Sequence, residues 1–189
     1  MKAFQLVFAA CLGLYAAAAG AESANQPPVE AISRLDIPRY MGRWVEIAKY
    51  PNRFQEKCVA DTSAEYTLRE NGRVRVVNRC RVASGKMEEA VGEARLLGGP
   101  DSAKLEVRFA PPWMAFLPFV WGNYWVIDLD PDYRLAAVSE PKREYLWILA
   151  RDQQVDRQQY AALLDRLRAR GFSLERLQLT PQAAAAGNH

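Results

Sequence analysis

Residues 60–82 read ADTSAEYTLRENGRVRVVNRCRV, two runs of alternating character joined at Asn71-Gly72. Successive side chains of a β-strand point to opposite faces, so a period of two assigns a wet side and a dry side. Ala64, Tyr66 and Leu68 share one side of the first run, and Val74, Val76, Asn78 and Val82 share one side of the second. Glu65, Thr67, Arg69, Arg73, Arg75 and Arg79 take the opposite sides. Asn-Gly supplies two positive φ angles for a type I′ turn, so the segment is predicted to be a tight hairpin with one apolar face.

The same texture extends in both directions. Strands are predicted over about 42–50, 60–69, 73–82, 87–97, 103–109, 122–129, 134–139 and 144–151. In the fifth, Leu105, Val107 and Phe109 fall inside and Lys104, Glu106 and Arg108 outside. Eight short alternating strands separated by turns predict an all-β fold, an antiparallel barrel or sandwich, and eight strands are enough to close a barrel. Such a barrel is filled by its own side chains or holds one small ligand, depending on interior residue size. Ala48 and Ala64 are expected to leave room. One helical stretch follows: Asp156 and Gln159 have capping-box spacing, Tyr160, Leu163, Leu164 and Leu167 form an apolar stripe, and Gly171 stops the helix. This helix is expected to pack on the barrel wall, and Phe172 to Thr180 is expected to be a short extra strand.

The ends carry different information. Met1-Lys2, an apolar run over 3–18 and Ala19-Gly20-Ala21 form a signal peptide with cleavage after Ala21. The run is shorter than the roughly 20 apolar residues of a membrane span. Cys11, after Ala9 and Ala10, offers a second reading as the lipid-bearing residue of a lipoprotein; its early position and Phe8 speak against it. Residues 22–34 and 182–189 are expected to be flexible, leaving 35–181 as one domain. A net charge of +3 is too small and too dispersed to argue for nucleic acid. After cleavage Cys58 and Cys80 remain, able to pair in an oxidising compartment or to stay as buried thiols.

Three motifs carry a family resemblance. Gly42-Arg43-Trp44-Val45-Glu46-Ile47-Ala48 resembles the G-x-W signature of lipocalins, in the form found in the bacterial outer-membrane type. Asp130-Pro131-Asp132-Tyr133 resembles the second lipocalin motif, with Pro131 where threonine is common, and Tyr145-Leu146-Trp147-Ile148-Leu149-Ala150-Arg151 resembles the third. The resemblance covers about residues 35–181 and implies an eight-stranded up-and-down antiparallel β-barrel with a C-terminal helix on its wall. It implies binding and storage or transport of a fatty acid, lysophospholipid or similar lipid in the bacterial cell envelope, at the periplasm or the periplasmic face of the outer membrane.

Up-and-down topology sorts the remaining candidates by end. Gly42, Trp44, Asp132, Tyr133 and Arg151 meet at one end, where a guanidinium over an indole suits a closing plug. Cys58 and Cys80 go to the opposite, open end, where a disulfide would brace the mouth. There too lies the apolar loop 111–121, with Trp113, Phe116, Phe119 and Trp121, expected to form a lip that docks on a membrane or on a second copy of the chain. Glu46, Ala64, Tyr66, Val76, Asn78, Leu105, Val107, Phe109, Tyr145 and Trp147 are the candidate ligand contacts, with Glu46 satisfied by Asn78 or a tyrosine hydroxyl. No cofactor, metal site or catalytic residue is expected. The only histidine is His189, which removes the commonest general base and zinc ligand from the fold. The alternatives are a lipocalin-fold enzyme working through Glu46 and a pigment or haem carrier.

Overall fold

The computed structural model describes residues 27–183; the expected signal peptide, Cys11 and the last residues of the tail lie outside them. A short helix α1 (Ile37–Tyr40) leads into β1 (Gly42–Lys49), β2 (Cys58–Leu68), β3 (Val74–Val82), β4 (Met87–Leu96), β5 (Lys104–Arg108), β6 (Gly122–Leu129), β7 (Leu135–Ser139) and β8 (Leu146–Ala150). Helix α2 (Arg157–Ala169) and β9 (Gln178–Leu179) follow. Each of the eight long strands pairs antiparallel with the next, and β1 pairs with both β8 and β2, which closes the barrel. β9 is a two-residue ninth strand on β1, shorter than the expected segment because Leu174–Arg176 forms a 3-10 turn.

The Asn71-Gly72 hairpin forms with a different turn. Leu68 pairs with Val74, and Arg69 N–H donates to the Arg73 carbonyl at 2.8 Å, which leaves three residues in the loop. Within this loop only Gly72 has a positive φ, 75°. The Gly72 N–H donates to the Arg69 carbonyl at 2.9 Å. The loop is therefore a type I turn closed by a left-handed glycine, the three-residue solution, and not type I′.

Two apolar layers share the wall. The inner one joins Trp44, Tyr66, Val74, Val76, Leu105, Val126 and Leu149; the outer one joins Ile127, Ala137, Leu146 and Ile148 to Leu163 and Leu167 of α2. The helix starts where Asp156 Oδ1 accepts from the Gln159 N–H at 2.9 Å. Buried Asp128 clamps it, accepting from Arg166 Nε at 2.8 Å and Nη2 at 2.9 Å.

Several expected orientations change. A bulge between Glu46 and Ala48 puts Ala48 in the outer layer beneath the helix, so it opens no room inside. Leu68, beside the closed-end turn, is exposed. Arg108 is buried instead of solvated, because its Nη2 meets Glu93 at 3.2 Å and its guanidinium lies over Trp121. The segment before α1 is also packed: Val29 is buried and the Ile32 N–H donates to the Val126 carbonyl at 2.9 Å.

At the C-terminus, residues 181–183 are held. β1 pairs with β2 only from Gly42 to Val45, and the C-terminal segment fills the seam above. Thr180 N–H reaches the Ile47 carbonyl and Asp61 N–H the Pro181 carbonyl, both at 2.9 Å, while Ala183 N–H donates to Asp61 Oδ1 at 2.6 Å. The Ala183 N–H, and then the Arg81 guanidinium, hold the Asp61 carboxyl below the usual carboxylate range. A lowered folded pKa stabilises fully above the unfolded value of about 3.9 and is lost as pH falls through the folded value. Asp61→Asn is thus expected to flatten the acid side of a plot of melting temperature against pH; equal slopes for both proteins would contradict this latch.

Cys58 and Cys80 form a disulfide with Cα atoms 5.5 Å apart, next to the register shifts at the mouth end of β2. It closes a loop of 22 residues in a corner where the strand ladder is sparse. Replacing both cysteines by serine is expected to cost about 2–4 kcal/mol. An unchanged denaturation midpoint would show the brace to be redundant.

Candidate functional site

The lumen is built upward from a closed floor. Trp44 is fully buried, and its Nε1 donates to the Tyr40 carbonyl at 2.8 Å. The Arg151 guanidinium lies 3.9 Å from the Trp44 ring centroid. It donates to the carbonyls of Tyr133 (3.1 Å), Arg43 (2.9 Å) and Arg39 (2.8 Å). Burial lowers the Arg151 pKa. Gly42, at φ 89°, sits where a Cβ would lie 3.5 Å from Arg151 Nη1. In the adjoining turn Asp130, and not Asp132, does the organising: its carboxylate accepts from the N–H groups of Asp132, Arg134 and Leu135. Asp132 is exposed.

Immediately above the floor, three tyrosines form a chain of hydroxyls, Tyr40 to Tyr124 at 2.8 Å and Tyr66 to Tyr124 at 2.9 Å. Burial pushes the Tyr66 hydroxyl up to about 12, and burial likewise raises Tyr40 and Tyr124 well above their ordinary value. Beside them is a cavity of about 20 Å³ with an apolar wall of Ile37, Tyr40, Met41, Tyr66, Val74, Val76, Ala94, Leu105, Val107 and Tyr124. Tyr66, Val76, Leu105 and Val107, four of the candidate contacts, line it, and Ala64 joins the same cluster. A larger hollow of 440 Å³ lies outside the barrel between α2 and the β6–β7 turn.

The inner face changes from sealed to open along β3 and β4. Val74 and Val76 are buried, Asn78 is partly buried and its cross-strand neighbour Ala90 is exposed. Phe109 turns inward at the rim but is 43% exposed. A Cβ on Gly92 would come within 2.8 Å of the Phe109 ring, so the glycine is what lets the aromatic lie there.

Glu46 is buried, but its partners are not the expected ones. Oε1 accepts from the Thr180 hydroxyl at 2.6 Å and lies 3.4 Å from Lys49 Nζ, and Oε2 accepts from Gln55 Nε2 at 2.6 Å. The bulge at Ile47 and the inserted C-terminal segment bring these groups in, and neither feature is written in the alternation. Gln55 Oε1 also accepts from Trp147 Nε1 at 2.8 Å, so the β1–β2 loop is pinned over part of the mouth. Tyr145 stacks on Trp147 beside it, centroids 5.7 Å apart, and Phe54 lies tilted against Tyr145 at 5.5 Å.

The loop after β5 has two parts. Trp121 is partly buried on the outer wall, its ring 4.2 Å from the Arg95 guanidinium and its Nε1 donating to the Ala115 carbonyl at 2.8 Å. It is an anchor and not part of the exposed lip. Trp113, Phe116 and Phe119 are 73, 78 and 78% exposed. Among the described residues no group of three or more His, Cys, Asp or Glu could hold a metal.

The family model described as a lipocalin-like domain matches residues 35–182. The chain belongs to the lipocalin family. It is 41% identical over 157 residues to temperature-induced lipocalin-1 of Arabidopsis thaliana, covering 82% of this chain and 83% of the relative. Outer membrane lipoprotein Blc of Citrobacter freundii is 35% identical over 166 residues, covering 86 and 89%. Apolipoprotein D of Macaca fascicularis is 32% identical over 188 residues, covering 94% of each. Insecticyanin of Manduca sexta superposes with a TM-score of 0.65 at 18% identity, over 86% of this chain and 88% of that one, and shares the fold. Membership is consistent with binding small hydrophobic ligands. Tyr40, Lys49, Gln55 and Tyr124 are the residues of this lipocalin's lumen that sequence reasoning missed. Tyr124 could have been found from its period-two relation to Val126; Tyr40 and Gln55 come from short helical turns that alternation does not reach.

Proposed function

We propose that this lipocalin is a non-catalytic carrier of a single-chain lipid in the cell envelope, exchanging its cargo with a membrane that faces the barrel mouth. The observation that carries this reading is the gradient inside the barrel, apolar and sealed at the floor and open above, with bare aromatics beside the opening. A lipid site needs this division between apolar walls and few polar groups. Glu46 speaks for a carrier over an enzyme, since hydrogen bonds and an ion pair already occupy both of its oxygens. The signal peptide expected from the sequence, the disulfide, which suits an oxidising compartment, and the name of the Blc relatives support the envelope. Native mass spectrometry after incubation with palmitate or a lysophospholipid is expected to show one bound lipid per chain. Absence of any bound acyl lipid would overturn the carrier reading.

The lip is assigned to a membrane surface because residues 109–122 contain no charged side chain and Trp113, Phe116 and Phe119 are all exposed in this one loop. Replacing these three by serine is expected to lower flotation with phospholipid vesicles more than about tenfold, since burying each such side chain contributes about 1.5–3 kcal/mol. Unchanged flotation would reject membrane docking. If a wild-type dimer then fell apart in the variant, the lip would be a contact between copies instead.

A further inference from the structure

Resting on the carrier reading, we propose that Lys49 is the head-group anchor, and that the cargo is an anionic amphiphile bound with its carboxylate or phosphate at the mouth and its chain toward the floor. Lys49 is the last residue of β1, directly opposite Trp147 of β8. Trp147 packs against the inner core, and the bulge after Glu46 is what returns Lys49 to that same inward face. A lysine side chain only 13% exposed within an apolar barrel is costly to keep unless its charge is used.

Its acidic neighbour among the described residues, Glu46, uses it incompletely. Glu46 Oε1 lies 3.4 Å from Nζ, longer than the roughly 2.7–2.9 Å of a charge-assisted hydrogen bond. The same carboxylate is already held at 2.6 Å by Thr180 and at 2.6 Å by Gln55. Among the described residues the ammonium, with three N–H donors, meets no carboxylate but Glu46, which leaves donors for an incoming anion. The orientation follows from the other end. The three tyrosine hydroxyls at the floor are bonded to one another, and the small cavity beside them has an apolar wall, so the floor receives a chain end and the mouth receives the charge.

The test compares palmitate, hexadecyl phosphate and hexadecanol, which share one chain and differ in the head. Wild type is expected to bind one or both anions about tenfold to a hundredfold more tightly than the alcohol, and whichever anion is preferred identifies the head group. Lys49→Met should collapse that ratio to near one, and Lys49→Arg should keep it. Glu46→Gln should raise it, a gain that misfolding could not mimic. Equal affinity for alcohol and anions in wild type, or a ratio unchanged in Lys49→Met, would overturn the anchor while leaving a lipid carrier. If neither the anions nor the alcohol bound, the carrier reading itself would fall, and the anchor with it.

Discussion

Arg151→Met is expected to destabilise the fold by about 3–5 kcal/mol, measured as the shift of the urea unfolding curve. The guanidinium donates to three carbonyls from three separate stretches of chain: Arg39 in α1, Arg43 in β1 and Tyr133 in the turn before β7. A hydrogen bond from a charged donor contributes about 1.5–3 kcal/mol, and three sharing one donor are not additive. The site is partly exposed, so water recovers some of the loss. The stack 3.9 Å over the Trp44 ring adds about 1 kcal/mol. Methionine keeps the apolar cover and removes all of the N–H donors. Arg151→Lys should recover less than half, because an ammonium cannot address three divergent carbonyls from one plane. A loss under about 1 kcal/mol for the methionine variant would mean that the floor is held by Trp44 and Tyr40 alone.

That cluster is legible in the sequence, since up-and-down strand order alone sends Trp44, Tyr133 and Arg151 to one end. Strand positions were legible for the same reason: a two-residue period with a dry face leaves little freedom of register. What escaped was each place where the period breaks. The bulge at Ile47 reverses Ala48 and Lys49, turning an expected small inner residue outward and a charged one inward. The hairpin at Asn71-Gly72 was located correctly, yet its turn type depends on the count of residues between Leu68 and Val74, a distinction the dipeptide does not make. Alternation places Glu46 inside, but its partners come from a loop turn at Gln55 and from Thr180, which lies 134 positions away. Contacts between distant irregular segments leave no periodic trace.

Tyr124→Phe is expected to cost about 2–5 kcal/mol, several times more than Tyr40→Phe or Tyr66→Phe at about 1 kcal/mol each. Tyr124 stands between the other two hydroxyls, 2.8 Å from one and 2.9 Å from the other. Removing it strands two buried hydroxyls, each costing about 1–3 kcal/mol unpaired, whereas removing either outer hydroxyl leaves one bond intact. The triple phenylalanine variant should therefore be more stable than Tyr124→Phe, because an all-apolar chain strands nothing. Alkaline titration reads the same cluster. Each tyrosine has a folded pKa raised above the unfolded value of about 10, so its contribution is complete below that pH and is lost as pH rises through the folded value. For Tyr66, raised to about 12, the loss is on the order of 3 kcal/mol between those limits. Wild type should unfold steeply above about pH 10, with tyrosinate absorbance from these rings appearing only together with unfolding. The triple variant should resist base. If it lost stability with pH as steeply as wild type, the cause of alkaline unfolding would lie outside the barrel floor.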